Sequence, residues 1–194
     1  MSKTLATLAT LATLAASALL AGAAHASDVV VDARSDAYGT AGATAVTLSA
    51  GEAFSVNVDV NDLWNAGALP RWSNADGLTH DLFATGTDES GQAAGTLIGQ
   101  DFGTYTTGDG SFAYGELVGR IGTGAYFAVG TSFSGVAASA GTLSLYYWDS
   151  YTGDNTDSVT AHISVVPEPS SIALMLAGLG VVGGLARRRS KHIG

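Results

Sequence analysis

The chain has 194 residues, of which 46% are hydrophobic, 13% are charged, 26 are glycine and none is cysteine. This length fits one globular domain with targeting segments, and the lack of cysteine excludes disulfide bonds, thiolate metal sites and a cysteine nucleophile. Residues 27–166 contain sixteen acidic and three basic residues, a net charge of about −13 with histidine neutral, which repels phosphate backbones and excludes nucleic-acid binding. Such a surface favours divalent cations or neutral ligands.

Residues 1–26 are predicted to be a secretory signal peptide. Lys3 supplies a positive start, residues 5–22 form an uncharged stretch of mostly alanine, leucine and threonine, and Ala24 and Ala26 form an A-x-A cleavage site. The mature chain would therefore begin at Ser27. An amphipathic or membrane-spanning N-terminal helix is the alternative interpretation.

Residues 27–165 are predicted to form an all-β domain. Apolar and polar residues alternate with period two at 53–60, 143–147 and 159–165, and each run predicts a strand with one wet face. Weaker strands are predicted at 29–33, 44–48, 82–85, 115–121 and 126–130. About eight short strands separated by turn residues indicate an antiparallel β-sandwich. The glycine-rich stretch 86–115 is expected to be a long excursion or hairpin inserted between strands.

The loop 63–77 contains two of the three tryptophans, Trp64 and Trp72. Exposed indole rings offer flat apolar faces that suit sugar rings, and neighbouring polar side chains would satisfy sugar hydroxyls. The alternative is that both indoles cover the open end of the core. Further along, the glycines within 115–122 predict a close backbone approach or a bulge, which is a structural feature.

The segment 149–157 lies between two of the best-defined strands and carries three carboxylates and an amide. Oxygen-rich side chains such as Asp149, Asp154 and Asn155, together with turn carbonyls, provide the donors that Ca²⁺ requires. Gly153 would let the backbone turn so that neighbouring side chains face one centre. The alternative is a solvated hairpin turn, because Asp, Asn and Gly are also the usual turn residues.

The last 29 residues form a composite of three parts. Residues 166–169 include Pro167, Glu168 and Pro169, which cannot continue a strand or helix. Residues 170–186 are predicted to be a transmembrane helix, whose fifteen-residue apolar run would be about 22 Å long, short for a bilayer core of roughly 30 Å unless Ser170 and Ser171 extend it. Residues 187–194 form a basic tail, which the positive-inside rule keeps cytoplasmic and which contains Arg187, Arg188 and Arg189.

This order of proline motif, short apolar helix and terminal basic cluster resembles the PEP-CTERM sorting signal. The resemblance implies recognition by an exosortase-type peptidase, cleavage near the motif, and delivery to the cell surface or an exopolysaccharide matrix. The chain would be exported across the inner membrane, and the helix would serve as a transient anchor. A permanent single-pass anchor is the alternative.

The central domain resembles the PA-I galactophilic lectin-like family. The residues that carry the likeness are Trp64, Arg71 and Trp72, together with residues 115–122, 126–130, 141–143 and 149–155. The resemblance implies a galactose-binding-like β-sandwich in which Ca²⁺ bridges protein and sugar. By position, Asp149, Asp154 and Asn155 would be side-chain ligands and Thr152 a carbonyl ligand. The implied sugar contacts are Trp64, Gly67, Trp72 and Asp149.

Two departures from that family weaken the implication of galactose specificity. Gly67, the nearest candidate for the first-loop carbonyl ligand, stands where the galactose-binding member has a tyrosine, and the family's His-Pro sugar-contact segment has no counterpart between residues 72 and 95. Asp154 stands where the family usually has Asn, and the added charge would tighten metal binding. Calcium binding is therefore better supported than a particular sugar.

The sequence favours a binding protein over an enzyme, because it contains no G-x-S-x-G, H-E-x-x-H or P-loop motif. The expected function is Ca²⁺-dependent binding of carbohydrate, with exopolysaccharide or another glycan as partner. A structural matrix protein without sugar binding is the alternative, and a hydrolase with two suitably spaced carboxylates is a less favoured one.

Overall fold

The computed structural model of the chain describes residues 25–166 and the single positions 178 and 180. Residues 25–166 form one compact unit of fourteen strands. The strands are β1 His25–Asp32, β2 Ala43–Leu48, β3 Ala53–Val58, β4 Trp64–Asn65, β5 Trp72–Ser73, β6 Leu82–Phe83, β7 Leu97–Gly99, β8 Thr104–Thr107, β9 Gly110–Ala113, β10 Glu116–Ile121, β11 Tyr126–Ala128, β12 Ser132–Val136, β13 Gly141–Trp148 and β14 Ser158–Val166.

Two four-stranded antiparallel sheets carry the fold. The first has the order β1-β14-β3-β12 and the second the order β11-β10-β13-β2, while three two-stranded ribbons, β4-β5, β6-β7 and β8-β9, lie in the connections. The predicted all-β class and antiparallel β-sandwich are confirmed. Among the described residues, no helix has the length and hydropathy needed to cross a membrane. The sorting motif 167–169, the basic tail and all of the predicted transmembrane helix except positions 178 and 180 lie outside the described residues, as does the signal peptide up to residue 24.

The core lies between the two sheets and follows from the alternation along the strands. In β14, every second residue from Val159 to Val165 is buried, while the residues between them face outwards or are half-buried. These side chains pack against Leu143, Leu145 and Tyr147 of β13 in one continuous cluster. Period-two patterning therefore places one face of each sheet in a shared apolar interior.

The outer face of β13 departs from the prediction of a wet strand face. Tyr146 and Trp148 are buried there, in a cluster with Tyr105 and Phe112 of the β8-β9 hairpin. The Trp148 indole nitrogen donates a hydrogen bond to the Tyr105 carbonyl oxygen, at 2.8 Å. The prediction of a wet face was wrong because the hairpin within residues 86–115 folds over the second sheet and covers it.

Other predicted elements differ mainly at their ends. The strand predicted to reach residue 60 stops at Val58, and β12, which lies at the edge of the first sheet, was not predicted. The expected close approach at the glycines of 115–122 is confirmed, because a Cβ at Gly119 would lie 2.6 Å from the Phe127 ring. Strand β1 begins at His25, two residues before the predicted mature start, and pairs with β14 along its whole length.

Candidate functional site

Two loops that are far apart in sequence are joined at one end of the sandwich. The Asn65 backbone N–H donates to the Thr156 carbonyl oxygen at 3.0 Å, and the Thr156 N–H donates back to the Asn65 carbonyl oxygen at 3.1 Å. The β4-β5 ribbon also pairs Asn65 with Trp72. This double pairing holds the turn between β4 and β5 against the acidic loop between β13 and β14.

A pocket of about 130 Å³ opens where these loops meet. Its walls come from three segments: the turn between β4 and β5, the chain flanking the β8-β9 hairpin, and the acidic loop. The lining residues are Ala66, Arg71, Phe102, Tyr114, Asp149, Ser150, Tyr151 and Asp154. Two acidic residues singled out by the sequence, Asp149 and Asp154, therefore share one cavity.

Asp149 is the more buried of the two carboxylates. The residue is only 6% exposed, and one of its carboxylate oxygens accepts hydrogen bonds from the backbone N–H groups of Ser150, at 2.6 Å, and Tyr151, at 3.3 Å. Burial raises the pKa of Asp149, and the negative charge of Asp154 raises it further, while these two hydrogen bonds and the nearby Asn155 amide oppose the rise. A cation that neutralises such a carboxylate therefore stabilises its ionised form.

The two carboxylates also act on Tyr147, which is fully buried in β13. Desolvation raises the pKa of the Tyr147 hydroxyl well above its usual range, and the charges of Asp149 and Asp154 add to that rise. Both acidic side chains are therefore close enough to one buried group to affect its ionisation. Like charges gathered over an apolar interior repel one another unless a counterion lies between them.

Asn155 supplies an oxygen that has no donor. The residue is 1% exposed, and its side-chain nitrogen donates to the Ala33 carbonyl oxygen at 3.0 Å. Its own backbone carbonyl accepts from Arg34 Nε at 3.1 Å. The amide oxygen, however, is buried and has no hydrogen-bond partner within the described part of the chain. Leaving such an acceptor unsatisfied costs about 1–3 kcal/mol, so a group that accepts its lone pair would stabilise the loop.

Gly67 lies directly against the Asp154 carboxylate. Its φ is +115°, which glycine adopts without strain, and its N–H donates to the Asn65 side-chain oxygen at 2.5 Å. A Cβ built at this position would overlap one carboxylate oxygen of Asp154 and lie 3.0 Å from its carboxyl carbon. Glycine is needed here because the Asp154 carboxylate fills the space that any side chain would take.

These donors fit a hard divalent cation such as Ca²⁺. Two carboxylates, one orphaned amide oxygen and nearby turn carbonyls provide only oxygen ligands, which is the chemistry that Ca²⁺ prefers. Across residues 25–166, no group of three or more His, Cys, Asp or Glu side chains gathers in a way that could hold a metal, so a cation bound here would also need amide and carbonyl oxygens. The carbonyl ligands expected at Thr152 and Gly67 stay predictions.

The expected sugar contact at Trp64 needs correction, and the one at Trp72 stays a prediction. Trp64 is fully buried in the core, where its ring packs edge-on against Tyr147 at 4.5 Å between centroids. Trp72 is half-buried and packs against a small cluster that includes Leu63 and Ile98, and it does not line the pocket. The alternative interpretation, that the indoles close the end of the core, describes Trp64 because the β4-β5 ribbon turns that ring inwards.

The exposed aromatic rings at the pocket come from elsewhere. Phe102 is 48% exposed and Tyr151 is 66% exposed, and both line the cavity. Phe102 lies in the glycine-rich insertion, and its ring packs edge-on against Tyr114 at 5.1 Å. Tyr151 belongs to the acidic loop itself, where it could have been noticed as an aromatic residue two positions after Asp149. No periodic pattern in the sequence marks Phe102.

Comparison with known proteins identifies the C-terminal segment. Residues 165–190 match the PEP-CTERM protein-sorting motif, so this part of the chain is a PEP-CTERM sorting signal. No curated protein matches the chain. Among solved structures, the chain is similar to one described as the EclA N-terminal domain, a PllA-like lectin, with 19% sequence identity, a TM-score of 0.45, and coverage of 72% of this chain and 95% of that chain.

Proposed function

We propose that this chain is an exported protein whose β-sandwich binds carbohydrate through a bridging Ca²⁺ ion. The PEP-CTERM motif implies export and processing by an exosortase, with a transient membrane anchor. The destination, the cell surface or an exopolysaccharide matrix, belongs to the proposal. That the chain is not an enzyme also stays a prediction.

The observation that carries the proposal is the orphaned amide oxygen of Asn155, in the same loop as two carboxylates that share one pocket. A wet hairpin turn would leave its polar side chains in solvent, where water satisfies them. Here the Asn155 oxygen is buried without a donor, and Asp149 is nine-tenths buried close to a second negative charge. A divalent cation would satisfy the oxygen and neutralise both carboxylates at once.

The aromatic rim supports sugar as the second ligand. Ca²⁺ takes six to eight oxygen ligands, more than the two carboxylates and one amide supply, so sugar hydroxyls would complete the shell. Phe102 and Tyr151 lie at the same opening and offer apolar faces to the ring carbons. The pocket is smaller than the roughly 300–1,000 Å³ that encloses a drug-sized ligand, so it would hold one sugar unit while the rest of the glycan stays outside.

Isothermal titration of the purified full-length chain in detergent tests both steps. We expect heat on adding CaCl₂ to EDTA-treated protein, and then binding of monosaccharides only in the presence of Ca²⁺. Asp149→Asn should weaken both, whereas Asp81→Asn, which removes an exposed carboxylate away from the pocket, should change neither. Absence of Ca²⁺ uptake would refute the metal site.

A structural matrix role without sugar binding predicts a different result. Calcium would then raise the melting temperature, since a ligand that binds only the folded state stabilises it. No sugar would bind at any calcium concentration, and the rim substitutions Phe102→Ala and Tyr151→Ala would have no binding phenotype.

The sorting step is tested separately in cells that contain an exosortase. Replacing Pro167, Glu168 and Pro169 with alanine should leave the unprocessed chain in the membrane fraction, while Asp149→Asn should be processed like the wild type. Equal processing of the triple variant and the wild type would contradict the assignment of residues 167–169 as the recognition element.

A further inference from the structure

One cation lines the pocket, and it has no acidic partner there. Arg71 is half-buried, and its guanidinium lies 4.5 Å from the centre of the Phe102 ring. Its Nη1 makes only a long hydrogen bond, 3.5 Å, to the Ala66 carbonyl oxygen. Among residues 25–166 the single ion pair joins His162 and Asp28, so Arg71 is not paired with the carboxylates that share its cavity.

The position of Arg71 contrasts with that of the other two arginines of the domain. Arg34 donates to the Asn155 backbone carbonyl behind the acidic loop. Arg120 lies in β10, 5.2 Å from the Tyr126 ring centre, and hydrogen bonds to that hydroxyl. Neither lines the pocket. In a domain with sixteen acidic residues, one of three basic side chains therefore points its charge at the proposed sugar site.

Charge counting shows what Arg71 would do in the calcium-loaded site. Asp149 and Asp154 contribute −2, the ion +2 and Arg71 +1, so the loaded pocket carries a net charge of about +1. A neutral sugar would leave that charge uncompensated. A sugar with a carboxylate would neutralise it, and a guanidinium stacked on an aromatic ring keeps its planar edge of N–H donors free for a two-point contact with a carboxylate.

We infer that the site selects acidic sugars, and that Arg71, braced against Phe102, is the residue that reads a hexuronate carboxylate. This inference rests on the proposed Ca²⁺-dependent sugar binding and adds the ligand class. The exopolysaccharide partner would then be one that contains uronic acid units. The rest of the domain surface is acidic, so this attraction acts only at short range.

The test compares each hexuronate with its matching hexose, glucuronate with glucose and galacturonate with galactose, by titration of the full-length chain with excess Ca²⁺. We expect at least one hexuronate to bind roughly tenfold or more tightly than its hexose, the ratio typical of a charged hydrogen bond. In Arg71→Gln, the hexuronate and its matching hexose should bind with about the same affinity. Arg120→Gln, the matched control that also loses an arginine stacked on an aromatic ring, should keep the wild-type ratio.

Calcium affinity measured without sugar separates recognition from a structural role. Arg71→Gln removes a positive charge near the ion and is expected to tighten Ca²⁺ binding. A weaker affinity would mean that Arg71 holds the loops in place, and this would overturn the inference. Arg71→Lys keeps the charge without the planar guanidinium group and should retain only part of the preference for the hexuronate. This variant gives a second measurement if Arg71→Gln folds poorly.

The outcomes also distinguish this inference from the proposed function. If hexoses and hexuronates bind equally to the wild-type chain in the presence of Ca²⁺, or if their ratio persists in Arg71→Gln, acidic selectivity is wrong and sugar binding stands. If neither sugar class binds although Ca²⁺ does, the proposed sugar binding fails, and the inference fails with it.

Discussion

Replacing Gly67 with alanine places a methyl group in the space occupied by the Asp154 carboxylate. The new Cβ would overlap one carboxylate oxygen and lie 3.0 Å from the carboxyl carbon. Restoring ordinary contact distances requires Asp154 to move by roughly 1 Å, which exceeds the roughly 0.5 Å within which a built site must hold its ligands. Gly67→Ala is therefore expected to weaken Ca²⁺ binding about 10- to 100-fold.

The substitution also strains the backbone, and a matched control separates the two effects. Gly67 has a φ of +115° and Gly39 a φ of +90°, so alanine at either position costs about 1–3 kcal/mol of folding stability. A Cβ at Gly39 has no atom within 4 Å. Gly39→Ala should therefore lose stability without losing calcium affinity, and only Gly67→Ala should lose both.

Thermal or chemical unfolding in EDTA and in Ca²⁺ measures the difference. At a Ca²⁺ concentration of 100 times the wild-type Kd, the ion stabilises the wild-type protein and Gly39→Ala by about 2.7 kcal/mol. A Gly67→Ala protein whose Kd has risen 100-fold would gain only about 0.4 kcal/mol. If both variants gain the same amount, Asp154 does not depend on the space at Gly67, and the site as described is wrong.

A double-mutant cycle tests the cause. In an Asp154→Ala background, the methyl group at position 67 no longer meets a carboxylate, so Gly67→Ala should cause little further loss of calcium affinity. A full additional loss would mean that Gly67 acts through its own backbone carbonyl, the ligand that the sequence predicted, instead of through Asp154.

Four other substitutions give independent checks. Asp149→Asn should not lower the free energy of unfolding in EDTA, because it removes a desolvated charge that is repelled by a second carboxylate. In the same denaturation assay, it should abolish most of the stabilisation by Ca²⁺. An equal loss of stability in EDTA and in Ca²⁺ would contradict the site. Phe102→Ala should weaken sugar binding by about 1 kcal/mol or more, roughly fivefold, whereas Phe83→Ala, another exposed aromatic, should not, as measured by titration. Trp64→Phe should cost about 1–3 kcal/mol of unfolding stability through lost packing and the lost indole hydrogen bond. The folded variant should bind sugar normally, and weaker sugar binding would mean that Trp64 contacts the sugar after all. Burial raises the pKa of Glu116, so the folded chain holds that proton more tightly than the unfolded chain and wild-type stability falls as pH rises through this pKa. Denaturation in EDTA at a series of pH values around this pKa should show the stability of Glu116→Gln rising relative to that of the wild type as the pH rises. A stability difference that does not change with pH would refute the raised pKa of Glu116.

The strands were predictable because each carries its signal locally. Residues 159–165 alternate between apolar and polar side chains, and the sandwich buries the apolar ones as β14. Gly119 signalled a close approach because a glycine inside a strand leaves room for a neighbour, and Phe127 fills that room. The outer face of β13 was not predictable, since its cover comes from a hairpin more than thirty residues earlier in the chain.

The candidate site was predictable only in its acidic loop. Asp149, Asp154 and Asn155 are close in sequence, so their proximity needed no knowledge of the fold. The tryptophan prediction was wrong for Trp64 because the direction of an indole depends on the ribbon that carries it, and the β4-β5 pairing turns this one into the core. Phe102 reaches the pocket from the inserted segment, and that position depends on long-range packing that a single sequence does not encode locally.

The acidic surface and the proposed anionic ligand fit together once distance is considered. Sixteen carboxylates repel an acidic glycan at long range, but exposed charges are screened over about 8 Å at physiological ionic strength. Within the pocket, the ion would neutralise Asp149 and Asp154, and Arg71 would supply the remaining positive charge at contact distance. Without Ca²⁺ the same pocket carries about −1 and repels the ligand, so an acidic sugar would bind only to the loaded protein. Calcium would therefore control the sign of the site's charge as well as complete its coordination.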